Sequence, residues 1–216
     1  MKTDTENRVN QPETKVRNDQ FNPAIGLDRE RSFMFEAVWY AAKMLFFLTA
    51  YPWGSGIKVT ILRLFGAVVG QSVVIKPRVN IHMPWKLVIG DYAWIGEEVC
   101  ILNFEPIVIG SQACVSQRAF LCAGNHDFRD PAMSYRNEPI VISEGAWIGA
   151  QVFVGPGVNV GVDAVATAGS VVTKNLPAGM ICSGIPCKPG KPRWRDSRTA
   201  PTKTRVRPNS TSEFWS

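Results

Sequence analysis

The sequence predicts an all-β solenoid of triangular coils. Three observations carry that prediction: an apolar residue at every sixth position, a second apolar series two residues ahead of it, and glycine directly behind it. The main series reads Val69, Ile75, Ile81; Ile89, Ile95, Ile101; Ile109, Val115, Leu121; then Ile142, Ile148, Val154, Val160, Ala166 and Val172. Smaller residues stand two places earlier, among them Val73, Ala93, Val99, Ala113, Ala119, Ala146 and Ala164. Glycine follows at 70, 90, 96, 110, 149, 155 and 161, as expected where a chain turns a corner in a conformation that suits a residue without Cβ. A helix repeats at 3.6 residues and a half-buried strand at 2, so neither produces this pattern. A triangular coil does, with three six-residue units per turn and the main aliphatic pointing to the axis. Turns stacked at strand spacing, ~4.8 Å, make residues 69–177 about five coils and a prism ~24 Å tall.

Taken in order, residues 1–30 form a polar extension with no apolar core of a secretory signal, which points to the cytoplasm. Residues 31–66 form a helical cap or interfacial segment. Its stretch from Phe33 to Trp53 is nearly long enough to span a bilayer but carries Glu36 and Lys43, each costing about 2.5 to 3.5 kcal/mol near the centre. A docked helix, or one in peripheral membrane contact through 33–53, is therefore expected. After the break at Pro52, Gly54 and Gly56, the stretch Ile57 to Phe65 fits a short helix or a strand.

Residues 67–187 hold the solenoid, whose ends need caps because each coil buries its apolar face only against its neighbours. Two extra residues enter at Met83–Lys86 and two more at Asn103–Pro106. The step from Leu121 to Ile142 is three residues longer than a turn, and the polar stretch between has no repeat. It reads as a loop, 122–139, thrown out of the prism, where a rigid scaffold usually carries chemistry. Residues 188–216 read as a basic flexible tail, with eight Lys/Arg against two Asp/Glu and few apolar residues.

Composition removes several functions. The chain has 216 residues and a net charge of +6, but that excess lies in the tail rather than on a patch, so no nucleic-acid partner is expected. Five cysteines, with no CxxC pair and an odd count, suit reduced thiols better than disulfides or structural zinc. Only two histidines exist, His82 and His126, so a three-histidine zinc hydratase is excluded and no metal is expected. The seven tryptophans show no stacking pattern, and Trp39, Trp53 and Trp85 read as packing or interfacial residues.

Three stretches carry a resemblance: PWKLVIGDYAW at 84–94, CAGNHDFRDP at 122–131, and WIGAQVFVGPGVNVG with GSVVTKNLPAG and GIPCKPGK between 147 and 191. Over residues 55–191 the chain resembles the hexapeptide-repeat acyltransferases, and within them the colanic acid biosynthesis acetyltransferases and the galactoside and maltose acetyltransferases. The resemblance implies a left-handed parallel β-helix, a homotrimer with the acyl site between subunits, and acetyl coenzyme A as acyl donor. It makes His126 the general base on an acceptor hydroxyl, a role that suits an imidazole's ordinary pKa near 6.5. His82, inside the repeat, is the poorer candidate.

Asn125 and Asp127 flank the base and could orient it, bind the acceptor, or simply form the turn. The galactoside enzymes carry His-Pro where this chain has His126-Asp127, and an acceptor-binding asparagine where it has Gly96, which leaves Asn103 as a substitute acceptor contact. By the same resemblance Trp147, Ala150, Ala168 and Thr173 would line the pantetheine arm, and Lys174, Lys188 and Lys191 would face the phosphates. The expected reaction is O-acetylation of a sugar, soluble or lipid-linked, during exopolysaccharide or surface polysaccharide assembly, at or near the inner face of the membrane. A small-molecule sugar or amino-acid O-acetyltransferase and a catalytically silent β-helix scaffold are the alternatives.

Overall fold

The computed structural model describes residues 15–194; the outer parts of the polar extension and of the basic tail lie outside the described residues. Two helices precede the solenoid, α1 (Phe33–Phe46) and α2 (Ser55–Leu64). The first coil is β1 (Val68–Val69), β2 (Val74–Ile75) and β3 (Asn80–Ile81), and the second is β4 (Leu87–Ile89), β5 (Trp94–Ile95) and β6 (Cys100–Leu102). The third coil is β7 (Ile107–Ile109), β8 (Cys114–Val115) and β9 (Phe120–Cys122), and the fourth is β10 (Ile140–Ile142), β11 (Trp147–Ile148) and β12 (Phe153–Val154). The fifth is β13 (Asn159–Val160), β14 (Val165–Ala166) and β15 (Val171–Val172). A sixth turn begins at Leu176, bridged to Val160, and continues as β16 (Met180–Ser183) before β17 (Lys188–Pro192) doubles back antiparallel.

Equivalent strands of successive coils pair in parallel to make three faces. The first face runs from β1 through β4, β7 and β10 to β13, and the third from β3 through β6, β9 and β12 to β15. The second face runs from β2 through β5, β8, β11, β14 and β16 to β17. Every member of both sequence series is buried on the axis, from Val69 to Val172. That continuous core is the main source of stability, since a fully buried Val, Leu or Ile contributes about 1.5–3 kcal/mol.

The corners correct one expectation. The repeat glycines are not in the left-handed region. Glycine is required there because coils pass too closely: a Cβ on Gly90 would lie 2.4 Å from the Ser111 amide nitrogen, and one on Gly110 2.6 Å from that of Glu144. The left-handed residues are the ones just before each small inner residue, with φ from 53° at Ser72 to 73° at Gly157. Most of them are not glycine, for example Tyr92, Glu98, Arg118 and Gln151. Each such corner costs about 1 kcal/mol, which burial of the next side chain on the axis offsets.

Both ends are capped. The Ile57 stretch is helical, as α2, and it covers the first coil with polar side chains aimed at the exposed strand edge. The Ser55 hydroxyl accepts from the Ile75 amide at 3.0 Å, and Lys58 Nζ donates to the carbonyls of Ile75 and Lys76 at 3.2 and 2.9 Å. Arg63 donates to the carbonyls of Val69 and Gly70. These bonds satisfy groups that would otherwise form an open sheet edge. At the other end, the beginning of the expected flexible tail is ordered: Lys188 pairs with Ser183 and Lys191 with Ile181, and Arg193 donates to the Gly145 carbonyl at 2.7 Å. The sequence reading missed this strand because its residues are exposed and carry no periodicity.

Candidate active site

The loop isolated by the repeat leaves the prism after β9, on the edge between the third and first faces. It folds as a small antiparallel bridge of His126 with Tyr135. The Asp127 amide donates to the Ser134 carbonyl at 2.8 Å, and the Arg136 amide to the Asn125 carbonyl at 2.9 Å. Asp130 ties the tip: its carboxylate accepts from the amides of Ala132 and Ser134, and the Ser134 hydroxyl foremost holds it below the usual carboxylate range. A loop held this way keeps one position for the imidazole it carries.

His126 itself is half-buried between two rings. Tyr135 stacks on it with centroids 5.0 Å apart and 29° between planes, and Phe21 meets it edge-on at 5.2 Å. Its Nδ1 lies 2.5 Å from the carbonyl oxygen of Met133. A carbonyl only accepts, so Nδ1 carries the proton and the lone pair sits on Nε2. The ring is thus held in the tautomer a general base needs. The contact to Phe21 was missed in the sequence, where it is a lone aromatic residue in a polar extension; residues 15–27 lie across this loop, with the Arg17 amide donating to the Pro131 carbonyl at 2.7 Å.

The other candidates divide. Asn125 accepts from the His126 amide at 2.8 Å, and Asp127 accepts from the Arg129 amide at 3.0 Å, so each commits one side-chain oxygen to the loop while standing beside the His126 imidazole. Asn103 does not face an acceptor. It is fully buried, its Oδ1 accepting from the Met83 amide at 2.8 Å and its Nδ2 donating to the Met83 carbonyl at 2.5 Å. Its amide substitutes for a strand pair where the two insertions stack, and the acceptor-contact expectation is corrected accordingly.

Trp147 stands half-exposed on the second face, its indole donating to the Ser116 hydroxyl at 2.8 Å. Ala150 and Ala168 stack in successive coils at the neighbouring corner, where the Gly169 amide donates to the Ala150 carbonyl at 2.8 Å. Beside Ala150 lies a groove of about 240 Å³ lined also by Glu97, Glu98, Gln117, Arg118 and Gln151. Along the second face Trp147, Val165, Ile181 and Lys191 are in register, and Lys188 is exposed on the same last strand. Thr173 and Lys174 instead follow β15, on the edge from which the His126 loop departs. Within one chain, therefore, His126 stands on one edge and most of the cofactor candidates on a different face.

His82 lies outside this arrangement. Burial, with Lys43 and Arg29 nearby, pushes its imidazole down to about 4, so it stays neutral at physiological pH. It lines a recess of about 160 Å³ beside Glu36, Trp39, Tyr40, Lys43 and Trp85, and its ring meets Phe104 at 5.0 Å. All five thiols are raised by burial, which disfavours a cysteine nucleophile. Among the described residues no three His, Cys, Asp or Glu side chains converge as a metal site.

No family model matches the chain. It is 41% identical over 153 residues to the "Putative colanic acid biosynthesis acetyltransferase WcaF" of Escherichia coli (strain K12), spanning 69% of this chain and 82% of that protein. It is 29% identical over 126 residues to the galactoside O-acetyltransferase of the same organism, covering 56% of this chain and 62% of that one. Among solved structures, a hexapeptide-repeat acetyltransferase from Vibrio cholerae O1 biovar eltor, complexed with acetyl coenzyme A, shares the fold with a TM-score of 0.68 at 22% identity, covering 75% of this chain and 88% of that one. A galactoside acetyltransferase in complex with coenzyme A also has a TM-score of 0.68 at 22% identity, with 74% and 82% covered.

Proposed function

The chain belongs to the hexapeptide-repeat acetyltransferase family, and from that premise we propose that it moves the acetyl group of acetyl coenzyme A to a sugar hydroxyl during exopolysaccharide or surface polysaccharide assembly. The observation that carries the reading is the His126 imidazole, its Nδ1 bonded to the Met133 carbonyl and its Nε2 left with the lone pair. Nε2 takes the proton of the acceptor hydroxyl as its oxygen bonds to the thioester carbon. The carbon–sulfur bond then breaks, and the departing thiolate recovers the proton from the imidazolium, giving an O-acetyl ester and free coenzyme A. The Met133 carbonyl favours the transient imidazolium through the same hydrogen bond. With every thiol raised by burial, direct transfer in a ternary complex is preferred over an acyl-cysteine.

Trp147, Ala150 and Ala168 form the wall along which the extended arm of the donor would lie, with Lys188 and Lys191 at the phosphates and Thr173 and Lys174 near the reacting end. Asn125 and Asp127 are the acceptor contacts beside the base. Base and wall stand apart in one chain, which supports a homotrimer whose sites combine the His126 loop of one subunit with the wall of the next. Such an enzyme works in the cytoplasm, on an acceptor presented at the inner face of the membrane. Family membership leaves the silent-scaffold alternative without support.

The test supplies purified protein with acetyl coenzyme A and either a panel of soluble sugars or a lipid-linked oligosaccharide, and follows release of the coenzyme A thiol. Release with the lipid-linked acceptor alone is expected. Release with a soluble sugar would replace the acceptor, a reading favoured by the likeness to the galactoside enzyme. A folded protein that binds the donor yet acetylates neither would overturn the proposal.

A further inference from the structure

The helix α1 is apolar nearly all round, yet only one side of it is covered. Trp39, Lys43 and, just beyond its end, Phe47 are buried, with Trp39 Nε1 donating to the His82 carbonyl at 3.0 Å and Phe35 against Phe65 and Trp85. At 100° per residue, Tyr40, Phe33, Met44, Ala37, Ala41, Met34, Leu45 and Val38 fall in one arc of about 160° on the other side. All eight are exposed, the six larger ones by 50% to 81%. The two charges of the helix are withdrawn from this arc: Glu36 pairs with Arg29, and Lys43 is buried with its Nζ 5.0 Å from the Tyr40 ring. Tyr51, just past the helix, and Ile57 of α2 are exposed as well. A contiguous apolar surface of this kind on a folded chain marks a contact.

The occupant follows from charge. Residues 37–90, which run from α1 through the first coil into the second, contain six Lys or Arg and no Asp or Glu. Lys43, Lys58 and Lys86 are buried and Arg78 is paired with Glu98, so the charge left at the surface is positive and rests on Arg63 and Lys76, both exposed. Two copies meeting through this face would bring like-charged ends together, whereas an anionic leaflet attracts them. At 14 residues the helix is about 21 Å long, short of the ~30 Å hydrocarbon core, so it lies in the interface rather than crossing it.

We infer that α1 is a lipid-docking helix that seats the cap end of the prism on an anionic membrane surface. The inference deepens the reading of an enzyme that works beside the membrane, since it brings the scaffold to the plane where a lipid-linked acceptor would be held. The residues beyond 194 add five Lys or Arg against two Asp or Glu, a second cationic attraction to the same surface.

The test is flotation of the full chain with vesicles of phosphatidylcholine alone or mixed with phosphatidylglycerol. Partition into the mixed vesicles is expected, reduced by salt, and the double variant Met34→Glu, Leu45→Glu should lose at least about tenfold of it. A second pair, Val38→Thr with Met44→Gln, covers the case in which the charged variant misfolds. Acetyl coenzyme A binding, and transfer to the lipid-linked acceptor solubilised in detergent where no bilayer is present, should be the same in variant and wild type, so failure of the docking idea is separable from failure of the catalytic one. Absence of vesicle binding, or equal binding by the variants, overturns the inference. So does a variant that changes the oligomer mass, which would make the face a contact between copies.

Discussion

Met133 turns its backbone carbonyl onto Nδ1 of His126, and that one contact decides which nitrogen of the ring can act. Met133 holds a φ of 51°, an uncommon conformation for a side chain of its size, inside the loop that Asp130 ties down. The loop is thus shaped around the His126 imidazole. His126→Ala should lower turnover by about a hundredfold or more, as for loss of a general base, with acetyl coenzyme A affinity little changed. Steady-state rates alongside calorimetric titration of the donor check this, and retained turnover would sink the assignment.

The distance between His126 and the proposed cofactor wall makes a prediction about mixed assemblies. His126→Ala supplies an intact wall, and Ala150→Trp, which fills the groove beside Gln117 and Gln151, supplies an intact base. Each homo-oligomer should be nearly inactive. Co-expressed subunits that assort at random into trimers should recover about a quarter of wild-type activity, because one interface in four joins an intact base to an intact wall. No recovery in verified mixed trimers would mean that one subunit carries the whole site.

The axis of the prism was legible because each inward position is repeated, so a single rule covers Val69 through Val172 and a break in it, at Leu121, exposes the loop. What lies off the axis was less so. The repeat glycines were visible, but their reason was not: contact with the next coil, as at Gly90, involves backbone some twenty residues away. Tyr92 and Arg118 take the left-handed corners with no local signal in their residue type. Phe21 reaches His126 across more than a hundred residues, a pairing that no local pattern encodes. Asn103 was misread because an asparagine at an insertion can face solvent or backbone equally well, and only the stacking of the two insertions turns it inward to Met83.

That clamp is testable. Asn103→Ala would leave the Met83 amide and carbonyl without partners in a buried setting, at about 1–3 kcal/mol for each group. The expected outcome is a stability loss of about 2–5 kcal/mol in denaturant titration, with the KM for acceptor unchanged in the folded fraction. A raised acceptor KM at wild-type stability would instead return Asn103 to the substrate site.

His82 supplies a pH dependence that is separate from catalysis. Its folded pKa is depressed to about 4, by burial first and then by Lys43 and Arg29, whereas in the unfolded chain an imidazole titrates near 6.5. Between those values the unfolded chain binds more protons, so stability rises with pH across this window. The contribution of the neutral ring is fully present above about 6.5 and is lost as pH falls toward 4. Glu98 and Asp130, whose carboxyls are held below their usual range, stay charged until lower pH and do not confuse the upper part of the window. Acidification from about pH 7 to pH 5 should therefore lower the melting temperature by roughly 3–6 °C in the wild type and by less in His82→Leu, which keeps an apolar contact with Phe104. Melting curves that fall in parallel for the two proteins would show that the buried imidazole is not the group being protonated.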